Sequence, residues 1–239
     1  MNNTLINLRS FFILLALVLL PSCIFFKSAT KEFNSTAGAR NIQSGQALLV
    51  VEQSSLFFTR TKVYALEKIN SEWREAMPPV AATIGRNGFA PKGEKREGDG
   101  RTPSGIYSLG IAFGYEEKIV TKMTYRQVLF DDLWVDDVVA PDYNRWVKQN
   151  QTAARSFEKM RRDDNLYKYG IVIEYNTNPI INGCGSAIFF HVWGGDNVTT
   201  SGCVAVSEEN IKKILAWLDP QQKPLIVMGK EKEIMGYLQ

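Results

Sequence analysis

Two residues of this chain, His191 and Cys203, are able to form a pair for nucleophilic catalysis. His191 is the only histidine among the 239 residues, and Cys203 follows it by 12 positions. A cysteine attacks a carbonyl carbon as a thiolate, and an imidazole within hydrogen-bond reach is the usual means of generating one near neutral pH. The pair is therefore the first candidate for a catalytic site.

The residues around the pair favour a close approach of the two side chains. His191 ends an apolar, strand-like run, and the segment that follows it is polar and rich in glycine. We predict that this segment makes a hairpin-like excursion that returns Cys203 to His191. Gly202 would allow a sharp turn and leave space for substrate, and the N–H groups of Gly202 and Cys203 are candidates to stabilise an oxyanion.

The same two residues also fit a purely structural interpretation. A single histidine on an apolar strand is commonly a satisfied core residue, and a buried cysteine commonly behaves as a small hydrophobic side chain. The spacing of His191 and Cys203 alone does not decide between the two interpretations.

The remaining cysteines and acidic residues suggest no metal site. In an exported protein, Cys184 and Cys203 could form a disulfide, which would abolish thiol chemistry, and we expect Cys184 to be a buried thiol without a catalytic role. No cysteine and histidine spacing typical of zinc is present. The acidic pairs Asp131-Asp132 and Asp136-Asp137 are expected to form a solvated acidic face rather than a cation site.

The N-terminus has the features of a secretory signal. Arg9 precedes an unbroken apolar run from Phe11 to Leu20, which is too short to span a bilayer comfortably. The five residues that end at Cys23 also resemble a bacterial lipobox, although Pro21 departs from its usual small or aliphatic residue. We predict a signal peptide at residues 1–23 with Cys23 as a candidate lipidation site. The polar, unpatterned residues 24–45 would then form a flexible tether.

Composition indicates a folded globular domain and argues against nucleic-acid binding. Apolar residues make up 45% and charged residues 22% of the chain, and the formal net charge is +3. No basic helix or basic stripe is present, so the mild positive charge does not favour a nucleic-acid partner.

Apolar and alternating segments predict a domain built mainly of β-strands. The predicted strands are 47–51, 62–68, 80–84, 106–109, 170–175, 186–193 and 224–228. Helices are predicted over 153–160 and over 208–218, the second with Ser207 as its N-cap. Strands outnumber helices, so the predicted fold class is α+β, mainly β. The domain is placed at residues 46–229, followed by a C-terminal tail at 230–239.

Several motifs resemble the L,D-transpeptidase catalytic domain family, also called YkuD or ErfK/YbiS/YcfS/YnhG. His191 followed by Thr200-Ser201-Gly202-Cys203 is similar to the family's His…[Ser/Thr]-x-Gly-Cys signature. Asp99-Gly100-Arg101-Thr102-Pro103-Ser104-Gly105 is similar to its Asp-Gly-Lys-Thr-Pro-x-Gly turn. Residues 84–88 match the family's segment before this turn, and 142–144, 183–191 and 217–220 resemble a bacterial branch of the family. The resemblance therefore extends over roughly residues 46–229.

The resemblance implies an L,D-transpeptidase-like β-sandwich with a few short helices, and a cysteine acyltransferase of the bacterial cell wall. Cys203 would be the nucleophile and His191 its base, with a supporting hydrogen bond from Thr200 or Ser201. The expected substrate is a peptidoglycan stem peptide. The resulting thioacyl-enzyme would be resolved by an amine, which makes a cross-link, or by water, which trims the stem. The resemblance implies no metal and no organic cofactor.

Departures from the family pattern bear on the choice of substrate. Ser201 stands where other members carry a second histidine or a lysine, and Ala205 stands where many carry arginine. Both departures remove polar groups that could orient the donor peptide. The candidates for a substrate groove, which could equally be packed in the core, are Trp193, Tyr143 and Asn144.

Two other functions use the same features. One is an envelope cysteine peptidase or amidase that applies the same pair to another linkage. Papain-like enzymes are disfavoured, because their cysteine precedes the histidine and here His191 comes first. The other is a non-catalytic, peptidoglycan-binding lipoprotein. All of these functions imply export to the periplasm or cell envelope, with membrane attachment if Cys23 is lipidated.

Overall fold

A curled nine-stranded sheet is the frame of the domain in the computed structural model, which describes residues 34, 38, 41–54 and 59–236. The described strands are, in chain order, β1 (Gln46–Ser54), β2 (Thr59–Ile69), β3 (Glu72–Ala82), β4 (Phe89–Ala90), β5 (Thr102–Pro103), β6 (Gly105–Gly114), β7 (Tyr125–Gln127), β8 (Asp132–Val135), β9 (Trp146–Lys148), β10 (Phe157–Lys159), β11 (Tyr169–Ile173), β12 (Phe189–Val192), β13 (Val204–Val206) and β14 (Leu225–Lys230). The described helices are α1 (Glu208–Trp217) and α2 (Glu231–Gly236), with 3₁₀ turns at Gln149–Gln151 and Pro220–Gln222.

The strand order brings the two ends of the large sheet together. The order is β13-β12-β11-β6-β14-β1-β2-β3, with β7 added beside β6. Beyond β3, Thr83 and Ala205 exchange backbone hydrogen bonds of 2.8 and 2.9 Å, which joins that end of the sheet to β13. Smaller sheets β10-β8-β9 and β4-β5 lie outside this frame. The predicted α+β class, mainly β with few short helices, is confirmed.

The central strands have almost continuously apolar sequences because both faces of the sheet are covered there. In β1, Leu48 and Val50 point into the main core cluster, whereas Ala47, Leu49 and Val51 pack in a second cluster on the opposite face. Complete burial of an aliphatic side chain of this size contributes roughly 1.5–3 kcal/mol.

Helix α1 follows from local signals and matches its prediction closely. Its N-cap, Ser207, accepts a hydrogen bond from the Asn210 N–H at 3.3 Å. The first turn carries two acidic residues, which favour the positive end of the helix dipole. Ile211, Ile214 and Leu215 form the buried stripe that docks the helix on the main core.

The helix predicted over residues 153–160 is wrong. Part of this segment is instead β10, which pairs antiparallel with β8 so that Phe157 lies opposite Val135. Phe157 is 37% exposed and Met160 is fully buried, so their spacing of three marks no common helix face. Pairing with a distant strand outweighs a weak local pattern.

Residues on both sides of the predicted domain contact its core. Before β1, Ile42 packs on the second core cluster and Ser44 is buried. After β14, α2 replaces part of the predicted tail, and its Ile234 is buried on the same cluster.

The predicted signal peptide, Cys23 and most of the predicted tether lie outside the described residues. Within the described part of the chain, no helix is both long and apolar enough to cross a membrane.

Candidate active site

Strand β12 carries His191, and Cys203 directly precedes β13, so that both residues lie on one face of the sheet. The strands are parallel, with His191 opposite Ala205. Cys203 lies two residues before Ala205, and alternate residues of a strand share a face, so its side chain points to the same side as His191. The connection between them is therefore a crossover and not the predicted hairpin.

The His191 ring is buried, and its orientation is held by the chain on two sides. Its Nδ1–H donates a 2.7 Å hydrogen bond to the Val192 carbonyl, and the edge of its ring meets the Tyr167 ring at a centroid distance of 5.1 Å. Because the carbonyl is an acceptor only, this contact assigns the proton to Nδ1 and leaves Nε2 as the basic nitrogen.

The Cys203 thiol rests in a backbone pocket formed by the residues before β12. Its S–H donates to the Ala187 carbonyl at 3.2 Å, and the sulfur accepts the Phe189 N–H at 3.3 Å. Ala187 has a left-handed φ of 52°, a conformation that costs a non-glycine residue about 1 kcal/mol. The strand predicted from residue 186 therefore begins only at Phe189. The carbonyl that holds the thiol is thus set by a strained turn.

Burial keeps both groups neutral near pH 7. Burial is the main reason that the pKa of His191 is lowered to about 4. It is also the main reason that the pKa of Cys203 is raised to about 12, and the negative charge of Glu158 raises the Cys203 pKa further. The unliganded site therefore holds a neutral thiol and a neutral imidazole that line the same cavity, with the thiol hydrogen-bonded to backbone groups, and not the resting thiolate that the pairing suggested.

We expect the rate of Cys203 alkylation to rise without a plateau as the pH increases. In a Cys184→Ser protein, iodoacetamide should react about tenfold faster per pH unit between roughly pH 7 and pH 9, because only the thiolate reacts and its fraction grows in this proportion below the pKa. Mass spectrometry of timed samples measures the rate. A plateau near pH 7 would contradict the raised pKa.

A cavity of about 400 Å³ opens over the pair. His191 and Cys203 both line it, together with Tyr167, Trp193 and the loop that precedes β13. The cavity therefore gives a substrate access to both side chains from one direction.

The loop before β13 is held by its own hydrogen bonds. The Thr200 hydroxyl donates to the Cys203 carbonyl at 2.7 Å and accepts the Gly202 N–H at 3.1 Å. Ser201 is exposed and accepts a hydrogen bond from the Arg86 guanidinium at 3.2 Å. The Gly202 N–H predicted to face an oxyanion is thus already bonded within the loop.

Gly202 lines the cavity, and its backbone conformation favours glycine. Its φ of 153° is unfavourable for other residues, and a Cβ there would lie 3.0 Å from the Arg101 carbonyl oxygen.

The predicted groove residues separate into one that lines the cavity and two that do not. Trp193 lies on the cavity wall. Tyr143 and Asn144 are almost fully buried, at 1% and 3% exposure, so the expectation that they line a groove is corrected. Asn144 Oδ1 accepts hydrogen bonds from Trp134 Nε1 at 2.8 Å and from the Ala187 N–H at 3.1 Å, so it supports the turn that holds the thiol.

Several charged residues of the cavity were not identified from the sequence as site residues. Glu97 belongs to the motif region before β5, Asp136 to the acidic cluster, and Glu158 to the segment mistaken for a helix. Their distances along the chain carry no signal that they converge. The charged residues that line the cavity are Arg86, Lys95, Glu97, Asp136, Glu158 and Arg162.

The surroundings of Cys184 and of the acidic pairs differ from the predictions. Cys184 and Cys203 are both free thiols, and Cys184 is partly exposed rather than buried as predicted. Asp132 is buried and paired with Arg126 at 2.7 Å and Lys148 at 3.2 Å, so it is not part of a solvated face. Within the described ranges, no group of three or more histidine, cysteine and acidic residues is arranged to hold a metal ion.

Comparison with known proteins identifies the family. The YkuD model, described as an L,D-transpeptidase catalytic domain, matches residues 52–227. Among solved structures, the helical cell shape determining protein Pgp2 from Campylobacter jejuni is similar, with a TM-score of 0.44 and 16% sequence identity. That match covers 85% of this chain and 55% of the Pgp2 chain, so this chain spans about half of its length. No curated protein matches this chain. The family predicted from the motifs is confirmed, and the chain belongs to the YkuD family of L,D-transpeptidase catalytic domains.

Proposed function

We propose that this protein is a cysteine acyltransferase that acts on peptidoglycan stem peptides in the bacterial cell envelope. The observation that carries the proposal is the shared cavity of His191 and Cys203 on one face of the sheet, in a chain of the YkuD family. Export through the N-terminal signal, with lipid attachment at Cys23, is part of the same proposal.

The first half of the reaction would form a thioacyl-enzyme. The Cys203 S–H leaves the Ala187 carbonyl and gives its proton to Nε2 of His191, and the sulfur attacks the carbonyl carbon of the diaminopimelate–D-alanine bond. The C–N bond then breaks, and the imidazolium returns the proton to the leaving D-alanine amine. The Phe189 N–H, which lies 3.3 Å from the sulfur in the resting site, stabilises the thiolate as it forms.

The second half would release the acyl group to an amine or to water. The nucleophile attacks the thioester carbon, His191 accepts its proton, and the proton passes to the departing Cys203 thiolate. The N–H of Cys203 is the proposed oxyanion donor in both halves, because the Gly202 N–H is bonded to Thr200. An amine acceptor gives a cross-link, and water gives a trimmed stem peptide.

Intact-mass spectrometry with a diaminopimelate-containing tetrapeptide tests the proposal. We expect an adduct equal to the tetrapeptide minus D-alanine, located on Cys203, and faster turnover when D-amino acids are added as acceptors. Release of a product other than D-alanine would favour a peptidase or amidase. No adduct and no product would favour a non-catalytic binding protein, and an adduct on Cys184 would contradict the assigned nucleophile.

A further inference from the structure

Three basic residues line the cavity over the catalytic pair, and two of them are paired with acids. Lys95 pairs with Asp99 at 2.7 Å, and the Arg162 guanidinium approaches Asp164 to 2.6 Å. The third, Arg86, is exposed and forms no ion pair within the described part of the chain. The positive charge of Arg86 is therefore free to act on a ligand that enters the cavity.

The Arg86 side chain is held beside the loop that carries the nucleophile. Its backbone N–H donates to the Thr200 carbonyl at 2.9 Å, and its guanidinium donates to the Ser201 hydroxyl at 3.2 Å. The guanidinium also lies against Gly100, where a Cβ would come within 2.8 Å of Cζ, so a larger residue at this position would displace it. Ser201 precedes Cys203 by two residues, so their Cα atoms are at most about 7 Å apart. The fold therefore places a positioned guanidinium close to the thiol.

An arginine in this position is suited to an anion with two oxygens. The guanidinium has five N–H donors in a planar fork that matches a carboxylate, and the hydrogen bond to Ser201 uses one of them. The acidic residues that line the cavity would repel an anion from the remainder of its wall; they are Glu97, Asp136 and Glu158. A negatively charged group of a substrate is therefore attracted to the side of the cavity where Arg86 lies.

We propose that Arg86 binds the terminal carboxylate of the stem peptide and selects substrates that end one residue after the bond attacked by Cys203. The identity of the ligand rests on the proposed function, whereas the preference for an anion does not. In the leaving D-alanine, three bonds separate the attacked carbonyl carbon from the carboxylate carbon, so these two atoms are at most about 3.8 Å apart. Attack by Cys203 therefore brings this carboxylate close to the loop on which Ser201 holds Arg86.

Iodoacetate and iodoacetamide test the anion preference without any peptidoglycan substrate. Both reagents alkylate the thiolate, so the ratio of their rate constants at one pH reports the charge of the reagent and cancels any change in the thiol pKa. Arg86→Gln should lower the iodoacetate-to-iodoacetamide ratio at Cys203 about fivefold, whereas Arg86→Lys, which keeps the charge, should largely retain it.

Two controls accompany this measurement. The ratio at Cys184, which does not line the cavity, should be the same in all variants. Arg74→Gln removes an exposed arginine of β3 outside the cavity and should leave the ratio at Cys203 unchanged. An unchanged ratio at Cys203 in Arg86→Gln, or an equal fall in Arg74→Gln, would overturn the anion site.

Calorimetry with a Cys203→Ser protein tests the ligand. A tetrapeptide with a free terminal carboxylate should bind at least about tenfold more tightly than the same peptide amidated at that carboxylate, and adding Arg86→Gln should remove the difference. Equal affinity of the two peptides for the protein that retains Arg86 would refute the terminal carboxylate as its ligand. If neither peptide binds while the reagent ratio still responds to Arg86→Gln, the peptidoglycan function fails and the anion site stands.

Discussion

Replacing Cys203 with alanine should abolish the release of D-alanine from a stem tetrapeptide, with a loss of at least about 10³-fold in kcat/KM. The sulfur is the proposed nucleophile, and among the described residues no other thiol lines the cavity. Cys184→Ala is the matched control, because it removes the other free thiol of the described chain and should retain near-normal activity.

Chromatography of the released amino acid measures both variants against the unmodified protein. Circular dichroism checks that each variant is folded, since Cys203 is 7% exposed and its loss leaves a small void. Activity that survives in Cys203→Ala would exclude the thioacyl mechanism. Loss in both variants with intact folding would contradict the different roles assigned to the two cysteines.

Asn144→Ala should lower the free energy of unfolding by about 3–7 kcal/mol. The substitution leaves the buried Trp134 indole N–H and the Ala187 N–H without an acceptor, at about 1–3 kcal/mol for each lost partner. Alanine must also adopt the left-handed φ of 57° that asparagine tolerates at this position, which adds about 1 kcal/mol. Urea denaturation measures the change.

Asn165→Ala separates the backbone contribution from the hydrogen bonds. Asn165 has a similar φ of 59° but is exposed, so its replacement should cost only about 1 kcal/mol. Equal destabilisation by the two substitutions would show that the Asn144 side chain does not support the turn. If the turn does depend on Asn144, Asn144→Ala should also alter the alkylation rate of Cys203, because Ala187 holds the thiol.

The resting thiol has a consequence for activation. Its proton faces the Ala187 carbonyl, and its pKa is raised to about 12 by burial, so the free enzyme does not hold a ready thiolate.

Local sequence signals are sufficient for the elements that depend on neighbouring residues. Ser207 and the stripe of Ile211, Ile214 and Leu215 predict α1, because capping and a 3.6-residue period are properties of a single segment. The order of His191 and Cys203 within their motif likewise identifies the family, which the matching family model confirms.

Contacts between residues far apart in the chain decided the features that local signals did not predict. Residues 153–160 form no helix because residues 157–159 pair with strand β8. Asn144 is buried and does not line the cavity, because its side-chain oxygen accepts hydrogen bonds from Trp134 and Ala187. Glu97, Asp136 and Glu158 line one cavity although they come from three separate segments of the chain. The sequence by itself determined which residues carry reactive groups, the position of helix α1 and the approximate positions of the central strands. Only the tertiary structure decided which side chains share the cavity and how burial changes their pKa, because both depend on residues far apart in the chain.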